Sequence, residues 1–124
     1  REWLNRFKIR DYKQAYRFFG GTPGTLLPMV CDSWLLYPGQ REFLPEDSHI
    51  LAFLKDFDIL EKRDMDKESF GDLWRIFGSA YTRPVGELPA DTTLQRVYKE
   101  RLLSGKPVGT AFGVFLFDGE KIMT

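Results

Sequence analysis

Three side chains in the first half of the chain are the candidates for covalent or proton-transfer chemistry: the thiol of Cys31, the hydroxyl of Ser33 and the imidazole of His49. A thiol can serve as a general acid or, once ionised, as a nucleophile, and a neighbouring imidazole could take up its proton. Cys31 and His49 are each the single residue of their type, and no spacing rule brings them together. The competing reading of a lone cysteine in an apolar run is a small buried hydrophobe, and it predicts an unreactive thiol. Ser33 lies outside any Gly-x-Ser-x-Gly elbow, so it lacks the strained strand-to-helix turn of hydroxyl nucleophiles. His49 falls near a predicted helix start, where a local polar contact suffices to explain it. One Cys and one His cannot supply the three or four ligands that a zinc site usually takes, so no metal site is expected.

These side chains must be positioned by elements that the hydrophobic pattern lays out. Tyr12, Ala15, Tyr16 and Phe19 repeat at helical spacing, with Asp11 and Gln14 as a capping box and Gly20 and Gly21 as the stop. The apolar run Leu26 to Leu36 reads as a strand that begins after Pro28 or lies at a sheet edge there, because proline cannot donate to a ladder. Tyr37, Pro38 and Gly39 turn the chain into a short polar helix ending near Phe43. Asp47 or Ser48 caps a helix whose stripe is Ile50, Phe53, Leu54 and Phe57. Asp58 to Met65 and Leu73 to Phe77 alternate as strands. Thr92 and Gln95 make a second capping box for a helix with Leu94, Val97, Tyr98 and Leu102 inward, facing a sheet that includes Phe112, Val114 and Leu116 or their alternates, and Gly105 closes it. Thr110 to Phe117 is the last strand, ended by Asp118 and Gly119. Helices interleaved with strands at this spacing predict an α/β or α+β fold with helices packed on a sheet.

The composition narrows the function. The chain has 124 residues, one domain's worth, with 43% hydrophobic and 29% charged residues, the range of a folded globular protein. Eighteen Lys and Arg balance eighteen Asp and Glu. Basic residues are interleaved with acidic ones, as in Glu61-Lys62-Arg63-Asp64, so no basic face for nucleic acid is expected. The longest apolar stretches, such as Ala111 to Phe117, fall far short of the roughly 20 residues of a membrane helix. A single cysteine suits a reducing cytoplasm. The chain opens at Arg1 without a Met or signal peptide and with aromatics at Trp3 and Phe7, so it is expected to be one domain, residues 1–124, cut from a longer polypeptide with an upstream domain.

Two strings of residues carry a family resemblance. The first runs Cys31, Asp32, Ser33, Trp34, Leu35, Leu36, then Pro38, Phe43, Leu44, Pro45, then Asp47, Ser48, His49, Ile50 and Phe53. The second is Leu88, Pro89, Asp91, Thr92, Thr93, Leu94, Gln95, Arg96, followed by the closing strand to Gly119. Together they resemble the C-terminal domain of a bacterial family of GNAT-like acyltransferases, over roughly Asp11 to the end. The chain departs from that pattern at His49, where the family usually has Asn, and at Tyr37, where an Asp commonly precedes the proline.

The resemblance implies a GNAT-like mixed sheet with helices on its faces, following a largely helical N-terminal domain as its partner. It implies acyl-CoA as co-substrate and transfer of the acyl group to an amine or similar small-molecule acceptor. The alternative is a noncatalytic structural half that packs on its N-terminal domain. Such enzymes cradle the CoA pyrophosphate on backbone amides in a Gln/Arg-x-x-Gly-x-Gly/Ala turn between a strand and a helix. Lys106, Gly109 and Ala111 approximate that spacing, but between a helix and a strand. Arg83 and Gly86 have the expected context, with Leu88 in the last position. The candidate residues are therefore Cys31, Ser33 and His49 for catalysis near the thioester, and Arg83, Gly86, Lys106 and Gly109 for the cofactor, each of the glycines being equally an ordinary turn residue.

Overall fold

The computed structural model describes residues 12–22 and 25–123. The predicted N-cap Asp11 and the aromatics Trp3 and Phe7 lie outside them. Helix α1 occupies 12–18, and β1, Leu27–Ser33, follows the glycine stop. Then come the 3-10 turns Trp34–Leu36 and Pro38–Glu42, α2 (His49–Leu54), β2 (Asp58–Met65) and α3 (Leu73–Phe77). Two more 3-10 turns, Gly78–Thr82 and Val85–Glu87, lead to α4 (Thr93–Leu103), β3 (Val108–Phe117) and β4 (Ile122–Met123). The expected α+β arrangement of helices packed on a sheet is present.

The last long strand organises the sheet. β3 lies between β1 and β2, β4 also pairs with it, and every pairing is antiparallel. Among the described residues β1 is thus an edge strand, which lets it include Pro28, opposite Leu116, with no central ladder donor lost. Along β3, Ala111, Gly113, Phe115 and Phe117 are buried, whereas Phe112 and Val114 are half-buried and Leu116 is exposed. The buried set faces α1 and α2: Tyr16, Leu36, Leu54 and Phe57 close over Ala111, Phe115 and Phe117. Gly113 lets them approach, since a Cβ there would meet Leu36 at 3.1 Å and Phe57 at 3.2 Å.

A second cluster joins Trp34, Leu44, Phe70, Leu73, Ile76, Phe77, Leu88 and Tyr98 to Val108 at the start of β3. Here the structure corrects three sequence expectations. Leu73 to Phe77 is a helix rather than a strand. Leu73, Ile76 and Phe77 are buried at i, i+3, i+4, while Trp74 is exposed and Arg75 pairs with Asp72 one turn back at 3.0 Å. The apolar run after Pro28 ends as a strand at Ser33, because the Ser33 hydroxyl accepts from the Leu35 N–H at 3.1 Å and starts a 3-10 turn. The α4 stripe of Leu94, Val97, Tyr98 and Leu102 packs on this second cluster and meets β3 at Val108, not at Phe112, Val114 and Leu116. The Thr92 capping box of α4 is formed as expected, with the Gln95 N–H donating to the Thr92 hydroxyl at 3.1 Å. No helix among the described residues is long and apolar enough to cross a membrane.

Candidate functional site

Where β2 ends and β3 begins, the surface carries an open hollow of about 530 Å³. Its walls come from the end of β2 and the turn after it (Asp64 to Ser69), from Val85 in the last 3-10 turn, and from Leu102 and the segment Gly105 to Pro107. The two turns that sequence offered as alternative phosphate binders therefore flank one cavity. Lys106 lines it directly, and Val85 enters it from the turn that begins just after Arg83. Arg83 and Gly86 are both exposed. Gly109 is different, being buried inside β3 rather than in a turn. A Cβ there would overlap the carbonyl of Arg63 and press on the Tyr37 ring, so this glycine serves close strand packing.

Tyr37 supports one wall of the hollow. Its hydroxyl donates to Asp64 Oδ1 at 2.6 Å. Burial, together with that carboxylate, pushes the Tyr37 phenol up to about 12. The same hydrogen bond, aided by Lys62, holds Asp64 below the ordinary carboxylate range. Asp66, also on the wall, is lowered by the backbone and hydroxyl of Ser69. At neutral pH both acids are ionised and the phenol keeps its proton. A carboxylate held that low is a weak base, so these groups suit binding and orientation better than proton transfer. Lys67 and Lys106 add positive charge, and Met65, Val85, Leu102 and Pro107 give apolar surface.

Behind this wall lies a buried polar network that sequence reasoning missed. Gln40 is fully buried; its Nε2 donates to the carbonyls of Trp34, Leu35 and Tyr37 at 3.0, 3.2 and 3.1 Å, and its Oε1 accepts from the Tyr98 hydroxyl at 2.8 Å. Arg101, also buried, donates to the Pro107 carbonyl at 2.8 Å, pairs with Glu42 at 2.9 Å and lies 4.9 Å from the centre of the Phe43 ring. The network ties the loop after β1 to α4 and to the start of β3. The one available signal was Tyr98 inside an apolar helical stripe, a side chain whose hydroxyl needs a partner when buried.

The three proposed catalytic side chains are not brought together. From β1, Cys31 faces the layer of α1 and α2, half-buried and opposite Gly113. Burial, and secondarily Asp32, raise its thiol above the usual value. Ser33 is occupied as the cap of the following turn. His49 begins α2 and lines a separate hollow of about 330 Å³ with Glu46, Asp47, Ser48 and Lys55. No hydrogen bond among the described residues joins any two of the three. Likewise, no group of three or more potential metal ligands occurs among the described residues.

Comparison with known proteins gives the site its context. The family described as "GNAT-like C-terminal domain" matches residues 5–115. No curated protein matches the chain. Among solved structures, an acyltransferase in complex with decanoyl-CoA is 27% identical with a TM-score of 0.63, over 86% of this chain and 32% of that one. An acyltransferase in complex with CoA and 10C-teicoplanin is 26% identical with a TM-score of 0.59, over 70% of this chain and 28% of that one. An acyltransferase mutant in complex with octanoyl-CoA is 21% identical with a TM-score of 0.68, over 86% and 34%, and supports the fold alone. The chain thus spans about a third of the length of these structures.

Proposed function

Given that the chain belongs to the GNAT-like C-terminal domain family, we propose that it is one part of an acyltransferase that moves an acyl group from acyl-CoA to an amine or similar small-molecule acceptor. The observation that carries this reading is the match to the family over 111 residues (5 to 115) together with relatives that hold acyl-CoA. In this reading an N-terminal domain of the same chain completes the enzyme, and the protein works in the cytoplasm. The reaction needs no covalent enzyme intermediate: the acceptor nitrogen attacks the thioester carbonyl, and the CoA sulfur leaves and takes up a proton. Lys106, which lines the hollow, and Arg83 with Gly86, within two residues of its lining residue Val85, are the groups proposed to meet CoA phosphates. Gly109 would contribute only by letting Tyr37 and β2 close against β3.

A second reading, a noncatalytic half that completes a groove, is favoured by two observations. Cys31, Ser33 and His49 share no hydrogen bond, and the two acids on the hollow are held below the ordinary carboxylate range. Titration calorimetry separates the two. Decanoyl-CoA is titrated into the 124-residue chain and into the polypeptide that carries it with its upstream segment, followed by turnover assays with mixed amine acceptors. The leading reading expects binding and turnover by the longer form and little activity from the chain alone. Turnover by the 124 residues alone refutes the need for a partner domain. A longer form that neither binds nor turns over any acyl-CoA refutes the enzyme.

A further inference from the structure

The side of the sheet turned away from α1 and α2 is apolar across three strands. Strand pairing sets it out in rows. Pro28, Leu116 and Met123 lie side by side across β1, β3 and β4, and Val30 and Val114 form the next row. Val30 is 62%, Leu116 41% and Met123 39% exposed. A sheet with one solvated face normally alternates apolar inside with polar outside. Here both sides of β3 are apolar, with Phe112, Val114 and Leu116 on the side that no described helix covers in full.

The charge at this face has a sign. Asp58 lies across from Val114, and Phe112 lies between Asp32 and Glu61. Arg63, in the next row, pairs with Asp32. The rim therefore keeps the acids Asp58 and Glu61 beyond that pair, and neither forms an ion pair among the described residues. A partner suited to it has an apolar centre and basic residues around it.

We propose that this face is where the rest of the acyltransferase chain docks. The proposal rests on the reading that the protein is one part of a longer enzyme. Its occupant is argued from that length: this chain corresponds to 32% of the acyltransferase that holds decanoyl-CoA, so some two-thirds of such an enzyme must pack elsewhere. Among the described residues, the face away from α1 and α2 is a broad apolar surface left open for it. Docking there buries β3 on both sides, which accounts for its apolar alternation, and sets the partner beside the edge strand that carries Cys31.

Side-chain labelling by a photoactivated carbene, read residue by residue by mass spectrometry, tests this. Two forms are compared: the 124 residues alone, and the same chain joined to the segment encoded ahead of Arg1. Val30, Val114 and Leu116 should be labelled in the isolated chain and protected about fivefold or more in the joined form, as core interface residues are. Val30→Arg with Leu116→Arg should leave the circular dichroism spectrum of the isolated chain unchanged and restore labelling of Val114 in the joined form. Equal labelling of the face in both forms, with protection elsewhere, overturns the docking face while leaving the two-part enzyme intact. Protection in the isolated chain that appears with dimer formation on light scattering makes a second copy the occupant and also overturns it. The absence of an acyltransferase segment ahead of Arg1 overturns it through the reading on which it rests.

Discussion

Removing one oxygen from Tyr98 tests whether the buried polar network holds the loop after β1 onto α4. In Tyr98→Phe the ring remains, with its contacts to Trp34, Phe43 and Phe70 at centroid distances of 6.0, 5.0 and 6.4 Å. What is lost is the donor to Gln40 Oε1, an acceptor in a fully buried side chain. A buried acceptor left unpaired costs about 1 to 3 kcal/mol. Gln40→Leu removes the other partner. The carbonyls of Trp34 and Tyr37 still accept from the backbone N–H groups of Tyr37 and Gln40, so Leu35 O and the Tyr98 hydroxyl bear the loss. That substitution should cost about 2 to 6 kcal/mol, two unpaired groups at the same unit cost. In the double variant the Tyr98 hydroxyl is gone as well, so the two costs should not add. A coupling of about 0.5 to 3 kcal/mol is expected. Urea denaturation followed by tryptophan fluorescence measures all four corners of the cycle, with Trp34 inside the affected cluster. Additivity within about 0.3 kcal/mol, or a Tyr98→Phe cost below about 0.5 kcal/mol, would refute the network as drawn.

Three further outcomes follow from the same geometry. Gly109→Ala should destabilise by at least about 1 to 3 kcal/mol, because its methyl has no space between Arg63 and the Tyr37 ring; an unchanged denaturation midpoint would show that the strands do not pack so closely. Cys31 should react with a thiol reagent more slowly than free cysteine at pH 7, and its rate should rise only at higher pH, since a raised pKa leaves less thiolate; a rate equal to that of free cysteine contradicts the burial. In Tyr37→Phe, Asp64 should titrate at higher pH than in the parent protein. Asp64 has a folded pKa below its unfolded one, so its contribution to stability is present above the ordinary carboxylate range and is lost as pH falls through the folded value. Carboxyl-carbon NMR titration reads the change, and an unmoved Asp64 would show that Tyr37 is not its main partner.

Local chemistry determined a good deal of this protein. The capping box at Thr92 and Gln95 follows from which backbone groups a side chain can satisfy, and of the open choices the structure takes Ser48 over Asp47 as the cap of α2 and the edge position for Pro28. The two motif strings were enough to indicate the family. What sequence could not decide was any choice made by a distant neighbour. Leu73 to Phe77 alternates well enough for a strand, and only burial of Leu73, Ile76 and Phe77 against Tyr98 and Leu88 makes it a helix. Gly109 reads as a turn glycine until β2 and Tyr37 close against it. Gln40, in a polar stretch, gives no hint that Tyr98, far along the chain, will draw it into the core. Cys31 and His49 are separated for the same reason. Strand pairing turns the one toward Gly113 while the start of α2 holds the other at its own hollow, and side chains far apart in sequence meet only where packing of the whole chain leaves them no other place.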